Sequence, residues 1–523
     1  MADKGDERTG IAVPKPYPGT ICQTIRPNSM LLVLSLEDDM NIQRPQQLQH
    51  RTPVTLASAC LAMILAAVLS GCGGGAGTNM SGSNSSPTSA AKTAVQVNMG
   101  DSPADWMLAF SMNINSMSLM NSSGSISVVS STMPMEMMHL MGTMQPLAMV
   151  NAPQGTYTGA SITIGSATVM YMDPTTKAPV GATISGPITA SVTFSSPMTV
   201  GSTPMAMGFD LDLADSVTKG SNGNLSMNPV FHVTSAAQGS GNALDPSDGG
   251  IQQMMGEISS VTGSSFMMTS MQAAQGFTFM TNSSTQFVGT SMSAMSSGML
   301  AVVDASLQAD GSLLATRVQS MMSSGGVMGG GVITAVTGQP ATALTMVMQN
   351  GAGMGMMSSY FAAGATVDLS GSTTYQIDED DMDMSGIPFT PVFDASHIYA
   401  GQRAMPISSS GMMSGGMGGG MMGGSSLAGT ITASEVLLEP QGLSGTAALA
   451  INSGSSISFT LTLPADCAFT TLTGATSVTV YQQSATTITG TSPIASGTSI
   501  HAFGLLFFDG GQWKMVASRI GAN

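Results

Sequence analysis

Ile188-Thr-Ala-Ser-Val192-Thr-Phe194 alternates apolar with polar or small residues, and Phe209-Asp-Leu211-Asp-Leu213 does the same further along. A period of two puts every second side chain on one face, which is the pattern of an antiparallel strand with one face buried. Val95-Gln-Val97, Phe110-Ser-Met112-Asn-Ile114 and Ile162-Thr-Ile164 carry the same texture, and turn residues separate the runs. No stretch sustains a helical period with caps. The chain is therefore predicted to be all-β.

Composition narrows the class of function. Of 523 residues, 13 are Lys or Arg and 29 are Asp or Glu, giving a net charge of −16. So acidic a chain has no electrostatic footprint for a polyanion, and no nucleic-acid partner is expected. With 42% hydrophobic residues it is too apolar to be disordered throughout. Its length allows roughly three or four domains. Methionine is unusually common, at 49 positions.

The N-terminal region supplies an address. Thr55 to Ser70 is an uncharged, mostly apolar run behind Arg44 and Arg51, and it leads into Leu69-Ser70-Gly71-Cys72. A short apolar segment between basic and small residues reads as a secretory signal, and it is short for a membrane-spanning helix. Leu-Ser-Gly-Cys resembles the bacterial lipobox. The resemblance implies cleavage before Cys72, acylation of that cysteine, and a membrane partner reached through the acyl chains, each worth ~0.8 kcal/mol per buried CH₂. Gly73, in place of Asp, directs such a protein to the outer membrane of the bacterial cell envelope. Met40 opens a signal peptide of ordinary length over 40–71, so 1–39 is expected to be an extension of the gene model. Residues 72–93 are the lipidated cysteine and a Gly/Ser-rich tether. After cleavage one unlipidated thiol, Cys467, remains, so no disulfide framework is expected.

Residues 94–235 form a first predicted domain. Asp101-Ser-Pro-Ala-Asp105-Trp106 and Asn151-Ala-Pro-Gln-Gly155-Thr-Tyr157 resemble segments of an uncharacterised β-domain family common in bacterial lipoproteins, which implies a sandwich-like fold and no known activity. Trp106 and Tyr157 are its expected core anchors.

The remainder is a repeat. Gly256-x-Ile258-x-x-Val261 recurs as Gly331-x-Ile333-x-x-Val336. A closing element occurs three times, as Ala315-x-Arg317-Val318, Ala433-x-Glu435-Val436 and Ala517-x-Arg519-Ile520, after strand-opening glycines at Gly298, Gly401 and Gly497. Asp310-Gly311 and Asp509-Gly510 are hairpin-turn signals. The pattern resembles a second uncharacterised lipoprotein-associated family, which implies small OB-like β-barrels. Two or three such barrels are expected, at 250–322, 328–438 and 440–523, the last without a clear Gly-x-Ile opening. From glycine to the Arg/Glu position the copies span 19, 34 and 22 residues. The excess in the middle copy matches the Met/Gly tract of 411–426, expected at a hairpin tip.

Several groups could carry chemistry. Thioethers are soft ligands suited to Cu(I) or Ag(I). One candidate set is Met133, Met135, Met137, Met138, Met141 and Met144 with His139; the other is Met412, Met413, Met417, Met421 and Met422. The competing reading is that methionine replaces aliphatic residues as a flexible core filler, as at Met112 and Met346. Exposed thioethers could also intercept oxidants. The acidic run of 378–383 reads as a solvated hairpin rather than a cation loop. His139, His232, His397 and His501 sit in no catalytic motif, so no enzyme is expected. Cys467 reads as a small buried hydrophobe. The expected function is a non-catalytic, lipid-anchored envelope protein with a structural, adhesive or ligand-binding role toward a protein or glycan. The alternative is extracytoplasmic Cu(I)/Ag(I) binding, and otherwise no cofactor is expected.

Overall fold

The computed structural model describes residues 91–102, 104–140, 143–220, 223–238, 249–270, 272–322, 327–350, 352–353, 364–379, 382–409, 430–453, 456–490 and 494–522. Cys72 and the Met/Gly tract of 411–426 lie outside them. The architecture is all-β.

The first unit holds β1 (Lys92–Ser102), β2 (Met107–Asn121), β3 (Gly124–Val129), β4 (Met133–Glu136), β5 (Met144–Pro153), β6 (Gly155–Met172), β7 (Pro179–Ile184), β8 (Ile188–Val200), β9 (Met205–Asp212), β10 (Val217–Lys219), β11 (Leu225–Met227) and β12 (Phe231–Ala237). One sheet runs β12-β9-β1-β5, with β1 parallel to β9. The other runs β3-β2-β6-β7, with β4 also on β2 and β8 also on β6. Val95, Val97 and Met99 of β1 and Met112 and Ile114 of β2 belong to one buried cluster, as the alternation requires. Tyr157 is fully buried, and its hydroxyl donates to the Pro153 carbonyl at 2.9 Å. Trp106 packs at the edge of this core, T-shaped against Tyr171.

The first barrel is β13 (Gly250–Thr262), β14 (Ser265–Thr269), β15 (Phe277–Met280), β16 (Gln286–Val288), β17 (Leu300–Leu307) and β18 (Leu313–Met322). The second is β19 (Val327–Met328), β20 (Gly331–Thr337), β21 (Ala343–Met348), β22 (Ala352–Gly353), β23 (Gly364–Asp368), β24 (Thr374–Ile377), β25 (Arg403–Ser408), β26 (Thr430–Thr432) and β27 (Glu435–Leu438). The third is β28 (Gln441–Ser453), β29 (Ser456–Thr462), β30 (Ser477–Gly490), β31 (Ser499–Asp509) and β32 (Gln512–Ala522), a closed ring in the order β28-β29-β30-β32-β31. Within this ring β30 and β32 are parallel and the other pairs antiparallel. The first barrel closes the same way through β15 and β18. The second does so through β23 with β26 and β24 with β27. This is the five-stranded order of an OB-like barrel.

Two local devices recur in every copy. The strand-opening glycines have left-handed φ, +87° at Gly298, +95° at Gly401 and +92° at Gly497, a region that L side chains enter only at a cost. Each donates its N–H to a first-strand carbonyl, that of Ile258, Ile333 or Ala447, at 2.7–2.8 Å. The partner in the third copy places its opening at Gly445-x-Ala447, a Gly-x-Ile with the isoleucine shortened to alanine. A Cβ on Gly256, Gly331 or Gly445 would come within 2.2–2.5 Å of a backbone carbonyl on the next strand, so only glycine lets the two strands approach there.

The second device is a threonine. Thr285, Thr373 and Thr486 each donate a hydroxyl to the carbonyl of the closing alanine, Ala315, Ala433 or Ala517, at 2.7, 2.9 and 2.6 Å. The same hydroxyl oxygen accepts the backbone N–H three residues earlier, at 3.0, 2.9 and 2.7 Å.

Candidate functional site

Four methionines of the first expected set lie in the core. Met133, Met135, Met137 and Met138 belong to the buried cluster of the sandwich, between its two sheets. Met144 opens β5, and its thioether lies over Gly100 and Gly208, where any Cβ would collide with it. Met141, Met412, Met413, Met417, Met421 and Met422 lie outside the described residues. Met112 and Met346 are likewise core, and Cys467 is buried with its thiol pushed up to about 11 by desolvation.

The one carboxylate in this run had no assigned role in the sequence. Glu136 is fully buried. Its carboxylate accepts the backbone N–H groups of Phe110, Met138 and His139 at 2.9, 3.2 and 3.0 Å, and Nδ1 of His139 at 3.1 Å. A single 3-10 turn, Met138–Leu140, curls the chain back so that His139 meets the carboxylate three residues before it. An ionised carboxylate can only accept, so Nδ1–H donates to it and the ring is held from behind. The ring's Nε2 is buried and has no hydrogen-bond partner in the protein.

His139 faces a cleft of about 430 Å³ whose walls come from the sandwich and all three barrels. From the sandwich come His139, Thr143 and Gln145; the first barrel adds Gln252, Gln253, Gln319 and Met321; the second Asn350, Asp378, Arg403 and Glu439; the third Thr487, Phe503 and Arg519. The lining is rich in amides and carries both signs of charge. Arg403 Nε is paired with Glu439 at 3.1 Å, and its Nη1 donates to the His139 carbonyl at 3.4 Å. Arg519 lies over the Phe503 ring, 5.1 Å from its centroid.

The first-barrel wall is made by an irregularity. The register of β13 on β17 slips between Ile251 and Met254, and Gln253 there has φ +50°. A β-bulge re-aims side chains, and a non-glycine residue in the left-handed region is held only by its surroundings. Here the Gln253 N–H donates to Asp304 at 2.7 Å, and its side-chain amide donates to Asp378 of the second barrel at 3.1 Å. The acidic run expected to be a solvated hairpin thus reaches the cleft through Asp378 and Asp383, while Asp380 and Asp381 lie outside the described residues.

The other histidines stand apart. His397 and His232 pair with Asp394 at 2.8 Å and Asp212 at 3.4 Å, with imidazoles largely open to solvent. His501 Nδ1 is 3.0 Å from Ser444 Oγ, and the Ser444 N–H donates to Asp105 at 3.3 Å. This brings a Ser, a His and an Asp together, with the carboxylate on the serine. A proton-relay set needs the carboxylate on the far nitrogen of the imidazole, and His501 Nε2 has no such partner.

A family model described as a domain of unknown function, DUF5666, matches residues 255–319, which run from β13 into β18 of the first barrel. No curated protein matches the chain.

Proposed function

We propose that this chain is a non-catalytic ligand-binding protein of the bacterial cell envelope, anchored through acyl chains on Cys72 and held off the outer membrane by its Gly/Ser tether. Its ligand is a short neutral glycan bound in the cleft between the four β units. The observation that carries the reading is the lining: Gln145, Gln252, Gln253, Gln319 and Asn350 face a single cavity. Amides donate and accept at once, which suits the paired hydroxyls of a sugar. The Phe503–Arg519 pair offers a flat surface for a sugar face, and about 430 Å³ lies within the range of small-ligand sites.

Binding of purified full-length protein to a glycan array, followed by calorimetry on the hits, tests the reading. A hit whose affinity falls at least tenfold in Gln319→Ala, with an unchanged melting curve, supports it. Absence of any glycan binding by the wild type refutes it. Mass spectrometry of the N-terminal peptide tests the anchor: a free Cys72 thiol, or a chain starting before Met40, removes it.

A further inference from the structure

We propose that the cleft also binds a soft monovalent metal ion, Cu(I) or Ag(I), on Nε2 of His139 and the thioethers of Met255, Met321 and Met405. This site goes beyond the glycan reading and stands without it. It also differs from both methionine sets conspicuous in the sequence, sharing only His139 with them.

The first support is His139 itself. Its side chain is 2% exposed, its Nδ1 is committed to Glu136, and its remaining nitrogen is buried without a hydrogen-bond partner in a residue that lines the cleft. A carboxylate that orients an imidazole from behind fixes its tautomer and raises its basicity toward a metal. Glu136 already accepts four N–H groups, so it is locked in that supporting position.

The second support is sulfur in the same cavity. Met255, Met321 and Met405 line the same cavity and pack in one apolar cluster where the first and second barrels meet. Thioethers need no deprotonation and favour soft ions. The charge beside the site is already compensated, because Arg403 is paired with Glu439.

The test is an anaerobic titration of full-length protein with Cu(I) against a chromogenic chelator. Wild type is expected to withhold one equivalent that resists competition. His139→Gln, and separately the combined Met255→Leu, Met321→Leu and Met405→Leu variant, should each weaken that binding at least about tenfold. Replacing Met412, Met413, Met417, Met421 and Met422 together by Leu should leave it in place. Should a cleft variant fail to fold, ¹⁵N-histidine-labelled wild type titrated with Ag(I) gives the answer directly, as a shift of the His139 Nε2 resonance. An unmoved His139 resonance, no withheld Cu(I), or loss confined to the Met412–Met422 variant overturns the proposal.

Discussion

The hydroxyl of Thr486 donates to the carbonyl of Ala517 at 2.6 Å while its oxygen accepts the N–H of Gln483 at 2.7 Å, so one side chain ties the register break in β30 to the last strand of its barrel. Thr285 and Thr373 make the equivalent bonds in the other copies. Thr486→Val keeps the shape but leaves a carbonyl and an N–H unpaired, at about 1–3 kcal/mol for the site. Thr486→Ser should retain most of the stability. Urea melts followed by Trp513 fluorescence measure both; equal stability of the Val and Ser variants would show that the hydroxyl contributes nothing.

The two glycines Gly401 and Gly497 share a backbone conformation but not a neighbourhood. A Cβ on Gly497 meets nothing within 4 Å, whereas one on Gly401 would come within 2.6 Å of Thr473 and 2.9 Å of Phe469. Gly497→Ala should therefore cost only the left-handed strain, about 1–2 kcal/mol. Gly401→Ala should cost clearly more, because the Thr473 side chain and the Phe469 ring must also move. A melting-temperature comparison decides it, and an equal loss at both sites would count against the steric account.

Asp105 and His501 give opposite pH dependences across Ser444. Burial pushes the Asp105 carboxyl up to about 6, so between the unfolded value of 3.8 and about 6 the folded state holds more protons and stability falls as pH rises. Burial, reinforced by Arg519, pushes the His501 imidazole down to about 4, so between about 4 and 6.5 the unfolded state holds more protons and stability rises with pH. The two contributions, each up to about 3 kcal/mol, oppose one another over pH 4–6. Asp105→Asn should leave the rising slope and His501→Gln the falling one. Chemical denaturation at pH 4, 5 and 6 checks the signs, and parallel slopes in the two variants would contradict this account.

The Arg403–Glu439 pair, with side chains 8% and 10% exposed, is costly to break from one side. Glu439→Ala leaves a buried guanidinium without its counter-ion, at about 3–5 kcal/mol. The double variant Arg403→Met, Glu439→Leu removes both charges and should recover most of that loss. If the double variant melts no higher than Glu439→Ala, the pair is not the source of the effect.

Much of the fold was legible because it rests on period and on glycine. Alternation in Phe110-Ser-Met112-Asn-Ile114 put Met112 and Ile114 in the core, where they lie. Gly298, Gly401 and Gly497 marked the fourth strand of each barrel because their left-handed backbone favours glycine. The threonine device escaped notice because Thr285, Thr373 and Thr486 precede their alanines by 30, 60 and 31 residues. The long middle copy breaks that spacing. The third opening escaped because Ala447 stands where the others have isoleucine.

Of the cleft's lining, the sequence reading had singled out His139 as a candidate ligand but not the groups around it. Methionine count drew attention to Met133, Met135, Met137 and Met138, which are core filler, and away from Glu136 among them. A lone carboxylate inside an apolar run, three residues before a histidine, is a signal that sequence alone offers. Gln253 gives no such signal, since nothing in Ile251-Gln-Gln253-Met announces a bulge. Arg403 and Glu439 meet only because β25 and β27 pair antiparallel.

The walls of the cleft are drawn from positions between His139 and Arg519, nearly the whole length of the described chain. A chain clipped ahead of its third barrel keeps the strands of the sandwich and two barrels, yet it lacks Thr487, Phe503 and Arg519 and with them one wall of the cleft. The cavity is thus a property of the entire described chain and of none of its four β units alone.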